Sequence, residues 1–461
     1  MLMRSDALRM CGVLSILIVA AACGDEVTTK PAVRQFAPSL SRDATPISGR
    51  HVFALNGNVP ADFASRVAAA GGTVVRMIPS INVVVTDGLT DAGAAKLASS
   101  NEVAQDVEAQ WIPSADSLQL STSALTAPAD ATSILPPQAA FFLPLQWNMF
   151  QIHAPEAWAN HTGIPSVRVA ILDTGLDPDH LDAMGLIDQA SSVAFVPSTN
   201  GPPTWADDNF HGTHVGGIVT SNNFGTAGVA PNVTLIAVKV LNAAGTGNFG
   251  NIIAGIVWAT DVHAQVINMS VGMTFPKQAP GLALLVAALN RAINYAKSHG
   301  VLVVSAAGNE AVDLQHAHEF ISLPCEAGVQ LCVSATGPGD VPASYTNYGT
   351  NAINVAAPGG EVAPAPASFV LSLCSSHSVL PAFAACKSRT RYIYVAGTSQ
   401  AAPHVSGLAA LLDSQFGGQL NPSQMITLIQ QNADDLGKPG ADPFFGKGRI
   451  NVFTTVNSTT P

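Results

Sequence analysis

The sequence predicts an α/β protein built on a parallel sheet and preceded by a small βαββαβ unit. Three observations carry this reading. Val167–Leu172, Leu235–Leu241, Val266–Ser270 and Val301–Ser305 are short apolar, β-branched runs, as expected of parallel strands buried on both faces. Helical patterns alternate with them, over about Asn251–Asp261 and Ala283–His299, which argues for repeated βα units. Ahead of them, residues 50–114 carry a strand–helix rhythm of their own.

The chain has 461 residues, enough for one large domain and a smaller one. It is 48% hydrophobic and only 11% charged, yet no run of twenty apolar residues follows the N-terminus, so a large globular core is expected, not a membrane span. A net charge of −11 with 20 Lys+Arg leaves no extended basic patch and argues against a nucleic-acid partner. Residues 1–22 read as an export signal: Arg4 and Arg9, then an apolar core from Cys11 to Ala22 too short to span a bilayer. Ala20-Ala21-Ala22 before Cys23 resembles the lipobox of bacterial lipoproteins, which implies lipidation of Cys23 and a tether to the cell envelope. The same residues suit ordinary cleavage and free secretion; either route permits disulfides. Six cysteines occur and none lies in a CxxC pair, which gives zinc little support. The local pairs Cys325–Cys332 and Cys374–Cys386 are the simplest of three connectivities for the last four, with free buried thiols as the alternative.

Residues 23–49 are polar and read as a linker. In 50–114, strands are expected at His51–Leu55, Thr73–Met77, Asn82–Thr86 and Val103–Val107. Helices are expected at Pro60–Ala70, ended by Gly71-Gly72, and at Asp91–Ser99, capped by Thr90. This is the split βαβ, ferredoxin-like order, near the minimum size that folds alone. A small binding domain and an inhibitory propeptide are both compatible with it. Residues 115–140, rich in Ser, Thr, Ala and Pro, read as a second, protease-accessible linker, and the large domain occupies 141–461.

Chemistry-bearing residues gather at the ends of elements. Asp173 closes a predicted strand, where a carboxylate either points into a site or caps the next turn. His211 opens a helix with His214 three residues on; HxxH without a third ligand is weak for zinc, and His214 reads as a satisfied core histidine. Ser399 sits where the apolar run Tyr392–Ala396 turns through Gly397 into a small-residue helix, Ala401–Leu412, with Pro403 expected in its first turn. Hydroxyl and amide there lie at the positive end of a helix, although such helices are also ordinary core. Asp173, His211 and Ser399 together supply what an activated serine needs, and Asn309, after another strand, could complete an oxyanion hole with the Ser399 amide.

Ile171-Leu172-Asp173-Thr174-Gly175, His211-Gly212-Thr213-His214-Val215, Ala307-Gly308-Asn309 and Gly397-Thr398-Ser399 occur in the order found in subtilisin-family serine proteases, which the chain resembles from about Phe141 to its C-terminus. The resemblance implies a three-layer α/β/α fold with an Asp173–His211–Ser399 triad at one edge of a mainly parallel sheet. It makes Gly245-Thr246-Gly247 and Ser270-Val271-Gly272 the two edges that hold a peptide substrate, with Ala306-Ala307-Gly308 completing the walls. Gln400 departs from the family's usual Met. Residues 50–114 then read as a propeptide that inhibits the same chain, cut somewhere between Trp111 and Gln146. No cofactor is required for the chemistry. The resemblance also allows a structural calcium without assigning its ligands: Asp182 aligns with one family ligand, but the loop around Ser221–Gly225 is short, and Asn354 stands where a second site has Asp. The expected activity is that of an exported serine endopeptidase made as a zymogen, with polypeptide substrates. The alternative is a catalytically silent peptide-binding domain at the cell surface. An α/β-hydrolase esterase would need a GxSxG elbow and Ser–Asp–His order, neither of which is present.

Overall fold

A computed structural model describes residues 44–99, 101–112, 120–127, 135–199, 201, 203–329 and 331–458. The expected signal segment, Cys23 and most of the first linker lie outside them. Strands β1 (Thr45–Ala54), β2 (Thr73–Ile78), β3 (Val83–Asp87) and β4 (Val103–Gln110) alternate with helices α1 (Phe63–Ala69) and α2 (Asp91–Ala94) in the expected βαββαβ order. The four strands pair antiparallel in the order β2-β3-β1-β4. Phe53, Phe63, Val67, Val84 and Leu89 form a core of their own, while the alternate residues Val52, Val83 and Val85 face the large domain. Strand β1 starts at Thr45, inside the expected linker; Pro46, Gly49 and a register shift between Pro46 and His51 hide its periodicity. Thr90 does cap α2, accepting from the Gly93 amide at 3.0 Å, but the helix ends at Ala94 instead of Ser99, with Gly93 weakening its only turn.

After β4 come β5 (Leu120–Thr126), the short helices α3 (Trp147–Gln151) and α4 (Ala154–Ala157), β6 (Arg168–Asp173), β7 (Val193–Ala194), α5 (His211–Val219) and β8 (Thr234–Lys239). The chain continues through β9 (Thr246–Asn248), α6 (Phe249–Asp261), β10 (Val266–Met269), β11 (Met273–Pro276), α7 (Leu282–Ser298), β12 (Leu302–Ala306), β13 (Phe320–Leu323), β14 (Leu331–Thr336) and β15 (Val355–Pro358). It ends with β16 (Val370–Leu373), β17 (Arg391–Val395), α8 (Thr398–Gln415), α9 (Pro422–Gln431) and α10 (Val452–Val456).

The central sheet has seven strands ordered β15-β14-β12-β10-β6-β8-β7, all paired in parallel. Alternate side chains go to opposite faces: Val169 and Ile171 pack with α5 and α8, while Ala170 and Leu172 pack with α6 and α7. This is the predicted three-layer α/β/α arrangement. The N-terminal sheet covers the outer side of α6 and α7, and Arg291 of α7 donates to the Leu55 carbonyl at 2.8 Å. Strand β17, expected as the buried strand before Ser399, lies outside the parallel sheet. It forms a separate antiparallel sheet, β16-β17-β5. Its third strand falls within 115–140, where the sequence reads as linker. Both predicted disulfides, Cys325–Cys332 and Cys374–Cys386, are present. Among the described residues no helix is long and apolar enough to cross a membrane.

Candidate active site

Asp173 ends strand β6 of the parallel sheet and His211 begins α5, and both are buried. The close approach of the two elements needs Gly212, where a Cβ would lie 2.1 Å from the Gly175 carbonyl. His211 Nδ1 donates to Asp173 Oδ1 at 2.8 Å, and the Thr174 amide donates to the same oxygen at 2.8 Å. An imidazole so held leaves Nε2 as the acceptor for a hydroxyl proton.

Ser399 lies in the first turn of α8. Its hydroxyl donates to the Ser270 carbonyl at 2.9 Å, and the Ser270 hydroxyl donates back to the Ser399 carbonyl at 2.7 Å. The Ser399 carbonyl is open to the second bond because it has no helical donor. Pro403 lies in the second turn of α8, not the first, and the amide it lacks is the one that would have bonded the Ser399 carbonyl. Ser270, expected only as a cleft wall, therefore holds Ser399 directly. Gly397 is extended (φ 164°), so no left-handed turn is involved; a Cβ there would press on Gln400 Oε1 at 2.9 Å.

Asn309 follows β12. The Thr398 amide and hydroxyl both donate to its Oδ1, at 2.8 and 2.9 Å, which commits the oxygen and fixes the orientation of the amide. Thr398 Oγ1 also accepts from the Gly308 amide at 3.1 Å. At Gly308 (φ +103°) a Cβ would lie 2.3 Å from Asn347 and 2.7 Å from Glu310. Burial raises the pKa of Glu310, which accepts from Asn347 Nδ2 at 2.6 Å.

The predicted substrate edges hold the chain's own N-terminal unit. β4 pairs antiparallel with β9, matching Glu108 to Asn248, Ala109 to Gly247 and Gln110 to Thr246. Trp111 then donates from its amide to the Gly245 carbonyl at 3.1 Å and accepts from the Gly272 amide at 2.9 Å. Its indole donates to the Gly247 carbonyl at 3.0 Å and packs against Phe249 and Phe275, with Val271 in the same apolar cluster. Gly245 is required, because a Cβ there would lie 2.3 Å from Ile112. Asp106 accepts from the Gly250 amide, placing a carboxylate at the positive end of α6. Ala306 and Ala307 are buried at the end of β12, and Ala307 bonds through its amide to the Val333 carbonyl at 3.0 Å.

Sequence reasoning missed a buried ionic layer behind Asp173 and His211. Lys239 Nζ donates to Asp208 Oδ1 at 2.6 Å, to the Thr174 carbonyl at 2.5 Å and to the Leu241 carbonyl at 2.9 Å. Asp207 accepts from Thr174 Oγ1, from the Asn209 amide, and from Thr213 through both its amide and hydroxyl. The available signal was Lys239 itself, a lone cation inside an apolar β-run. Two further buried histidines, His404 and His214, have structural bonds. His404 bonds the Gln400 carbonyl and Asn148 at 2.8 Å each, and His214 bonds the Ile393 carbonyl at 3.3 Å.

The expected calcium site does not fit. Asp182 accepts from the Phe224 amide at Oδ1 and from the Gly225 and Thr226 amides and the Tyr392 hydroxyl at Oδ2, so both carboxylate oxygens are committed to protein donors. Asn354 Oδ1 is committed to the Cys332 amide at 2.7 Å. A different group, Asp177, Asp179 and His377, brings three potential ligand atoms within 4.8 Å of one another. Asp177 there already accepts from Asp179, His180 and Ser376.

A subtilase family profile matches residues 165–448. The chain is 32% identical over 323 residues to thermitase of Thermoactinomyces vulgaris, covering 69% of this chain and 99% of that one. It is 33% identical to subtilisin Savinase of Lederbergia lenta, covering 66% and 96%. An epidermin leader peptide processing serine protease from Staphylococcus aureus shares the fold, with a TM-score of 0.69 at 23% identity over 89% of this chain and 99% of that one. With its parallel sheet, three layers and matching sequence, the chain belongs to the subtilase family and is a subtilisin-like serine protease.

Proposed function

We propose that the chain is an exported serine endopeptidase made as a zymogen, with Ser399 as nucleophile, His211 as general base and Asp173 as its partner. His211 Nε2 takes the Ser399 proton as Oγ leaves the Ser270 carbonyl and attacks the scissile carbonyl carbon. The oxyanion that forms is met by the Asn309 side-chain amide and the Ser399 amide, and the imidazolium is stabilised by Asp173. The same imidazolium protonates the departing amine, and water then resolves the acyl-enzyme by the reverse proton route. One observation carries the reading: the adjacent parallel strands β6 and β10 lead at the same sheet end to the buried Asp173–His211 pair at 2.8 Å and to the Ser270–Ser399 pair, and an extended peptide segment is held by main-chain hydrogen bonds to Gly245 and Gly272.

On this reading residues 50–114 are the inhibitory propeptide, and β4 with Trp111 imitates a substrate. The described chain is held at Ile112 beside Gly245 and again at Leu120 beside Val395, four residues before Ser399. The proposed cut, expected between Trp111 and Gln146, narrows to the bonds between Ile112 and Leu120. Two disulfides and an expected signal at 1–22 support export; Cys23 lipidation is proposed from sequence alone. N-terminal sequencing of the exported protein tests the scheme. A new N-terminus at 113–120 in wild type, with Ser399→Ala remaining uncut, is the expected outcome; a Ser399→Ala chain that matures unaided overturns it.

A further inference from the structure

We infer that the loop closed by the Cys374–Cys386 disulfide is a positioning element that sets His211 against Ser399, acting through Phe383 and Ser375. The inference rests on the reading of His211 as general base.

The loop grips the segment that delivers His211. Ser375 Oγ donates to the Asp207 carbonyl at 2.6 Å, and the Val379 amide donates to the Asp208 carbonyl at 2.9 Å. Phe383 stacks on Phe210, the residue before His211, with ring centroids 4.1 Å apart and planes 21° apart. The loop also holds the turn that follows Asp173, because the Ser376 amide and hydroxyl both donate to Asp177 Oδ2 at 2.7 Å.

From the other side, Asp207 and Asp208 are pinned through their carboxylates to Thr174, Thr213 and Lys239. The backbone before His211 is thus held from both directions, and the disulfide loop supplies one of them.

The apolar contacts show what the loop joins. Phe210, Cys374, Phe383, Cys386, Ile393 and Val395 form a small cluster separate from the two main cores. Phe210 is one residue from His211, and Val395 is four residues from Ser399. The cluster is therefore a spacer between the segment bearing the base and the strand that leads into the nucleophile's helix. Losing a contact there shifts the relative placement of imidazole and hydroxyl, to which rate is sensitive, while the peptide edges at Gly245 and Gly272 stay as they are.

The test is steady-state kinetics on a chromogenic peptide with the matured full-length protein, alongside the rate and stoichiometry of fluorophosphonate labelling. Phe383→Ala is expected to lower kcat by about 10- to 100-fold with KM changed less than about twofold, while still reaching wild-type label stoichiometry, only more slowly. Phe383→Leu, which refills the cluster, recovers most of kcat. Ser375→Ala, a nearly isosteric change, lowers kcat by a smaller factor at the same KM. An unchanged kcat, a loss expressed in KM, or a loss matched by missing label stoichiometry overturns the inference. A wild-type chain that takes no label overturns the triad reading instead, and is told apart because the loop variants then differ in nothing from wild type.

Discussion

Trp111 and Gly272 meet backbone to backbone, the Gly272 amide donating to the Trp111 carbonyl at 2.9 Å. This bond, with the one from the Trp111 amide to the Gly245 carbonyl, fixes the end of β4 between the two cleft edges. The indole is fully buried between Phe249 and Phe275. Truncating a buried aromatic anchor costs about 2–4 kcal/mol of binding. Trp111→Ala should therefore raise the inhibition constant of the separated propeptide against the mature enzyme by about 30- to 1000-fold. An unchanged constant would remove Trp111 from the inhibitory contact.

Asn309 is held by Thr398 through its oxygen, and in the proposed mechanism its side-chain NH2 is the group that donates to the oxyanion. Asn309→Ala should lower kcat by about 10²- to 10³-fold with little change in KM, the signature of a contact made only in the transition state. Thr398→Val, which removes one of the two bonds that orient Asn309, should lower kcat by a smaller factor. Equal losses in kcat and substrate affinity would argue for a general structural defect.

Buried histidines should make the fold acid-sensitive. His404 is neutral in the fold, with Nδ1 donating to the Gln400 carbonyl and Nε2 accepting from Asn148, and burial lowers its pKa to about 4. Burial lowers that of His214 to about 3. Between about pH 6.5 and 4 the unfolded chain binds protons at these imidazoles that the folded chain refuses, so stability falls as pH falls through that window. His404 alone accounts for on the order of 3 kcal/mol. Asp413 acts in the opposite sense: burial raises its pKa to about 6, so its contribution is lost as pH rises from about 4 to 6. The imidazole contribution to the melting temperature should fall from pH 6.5 to 4.5, opposed by Asp413 and by the other buried carboxyls whose pKa burial raises, Asp106, Asp207 and Glu310. Relative to wild type, His404→Gln should lessen the acid loss of melting temperature over this range and Asp413→Asn should increase it.

Asp182 uses its carboxylate as an acceptor for three amides and a phenol, in place of an ion. Chelators should therefore leave the stability supplied by this site intact. Asp182→Ala strands several buried donors and should destabilise the fold by at least about 3 kcal/mol, with or without added calcium. A calcium-dependent melting temperature that Asp182→Ala abolishes would show that an ion binds there.

The strands that carry Asp173 and Asn309 were legible because burial on both faces demands apolar β-branched runs, and their ends mark the cleft. The segments Gly245–Gly247 and Ser270–Gly272 were legible through the family resemblance, and their glycines give the physical reason that a peptide can approach. Sequence could not tell that the run before Ser399 belongs to a separate antiparallel sheet, since an apolar strand looks the same in either setting. Strand β5 was hidden by Ser- and Thr-rich composition; its partner β17 supplies the order that its own residues do not signal. The bond from the Ser270 hydroxyl goes to the Ser399 carbonyl that Pro403 leaves without a helical donor, a consequence visible only once the helix register is fixed. The Lys239–Asp208 pair and the Phe210–Phe383 stack join residues far apart in the chain, which no local pattern encodes.

Fluorophosphonate labelling of the matured chain, with the modified residue located by peptide mass mapping, tests the central claim most directly. A single adduct on Ser399, absent in Ser399→Ala and strongly slowed in His211→Ala, is the predicted result. No adduct after propeptide removal, or an adduct that persists in Ser399→Ala, would contradict it.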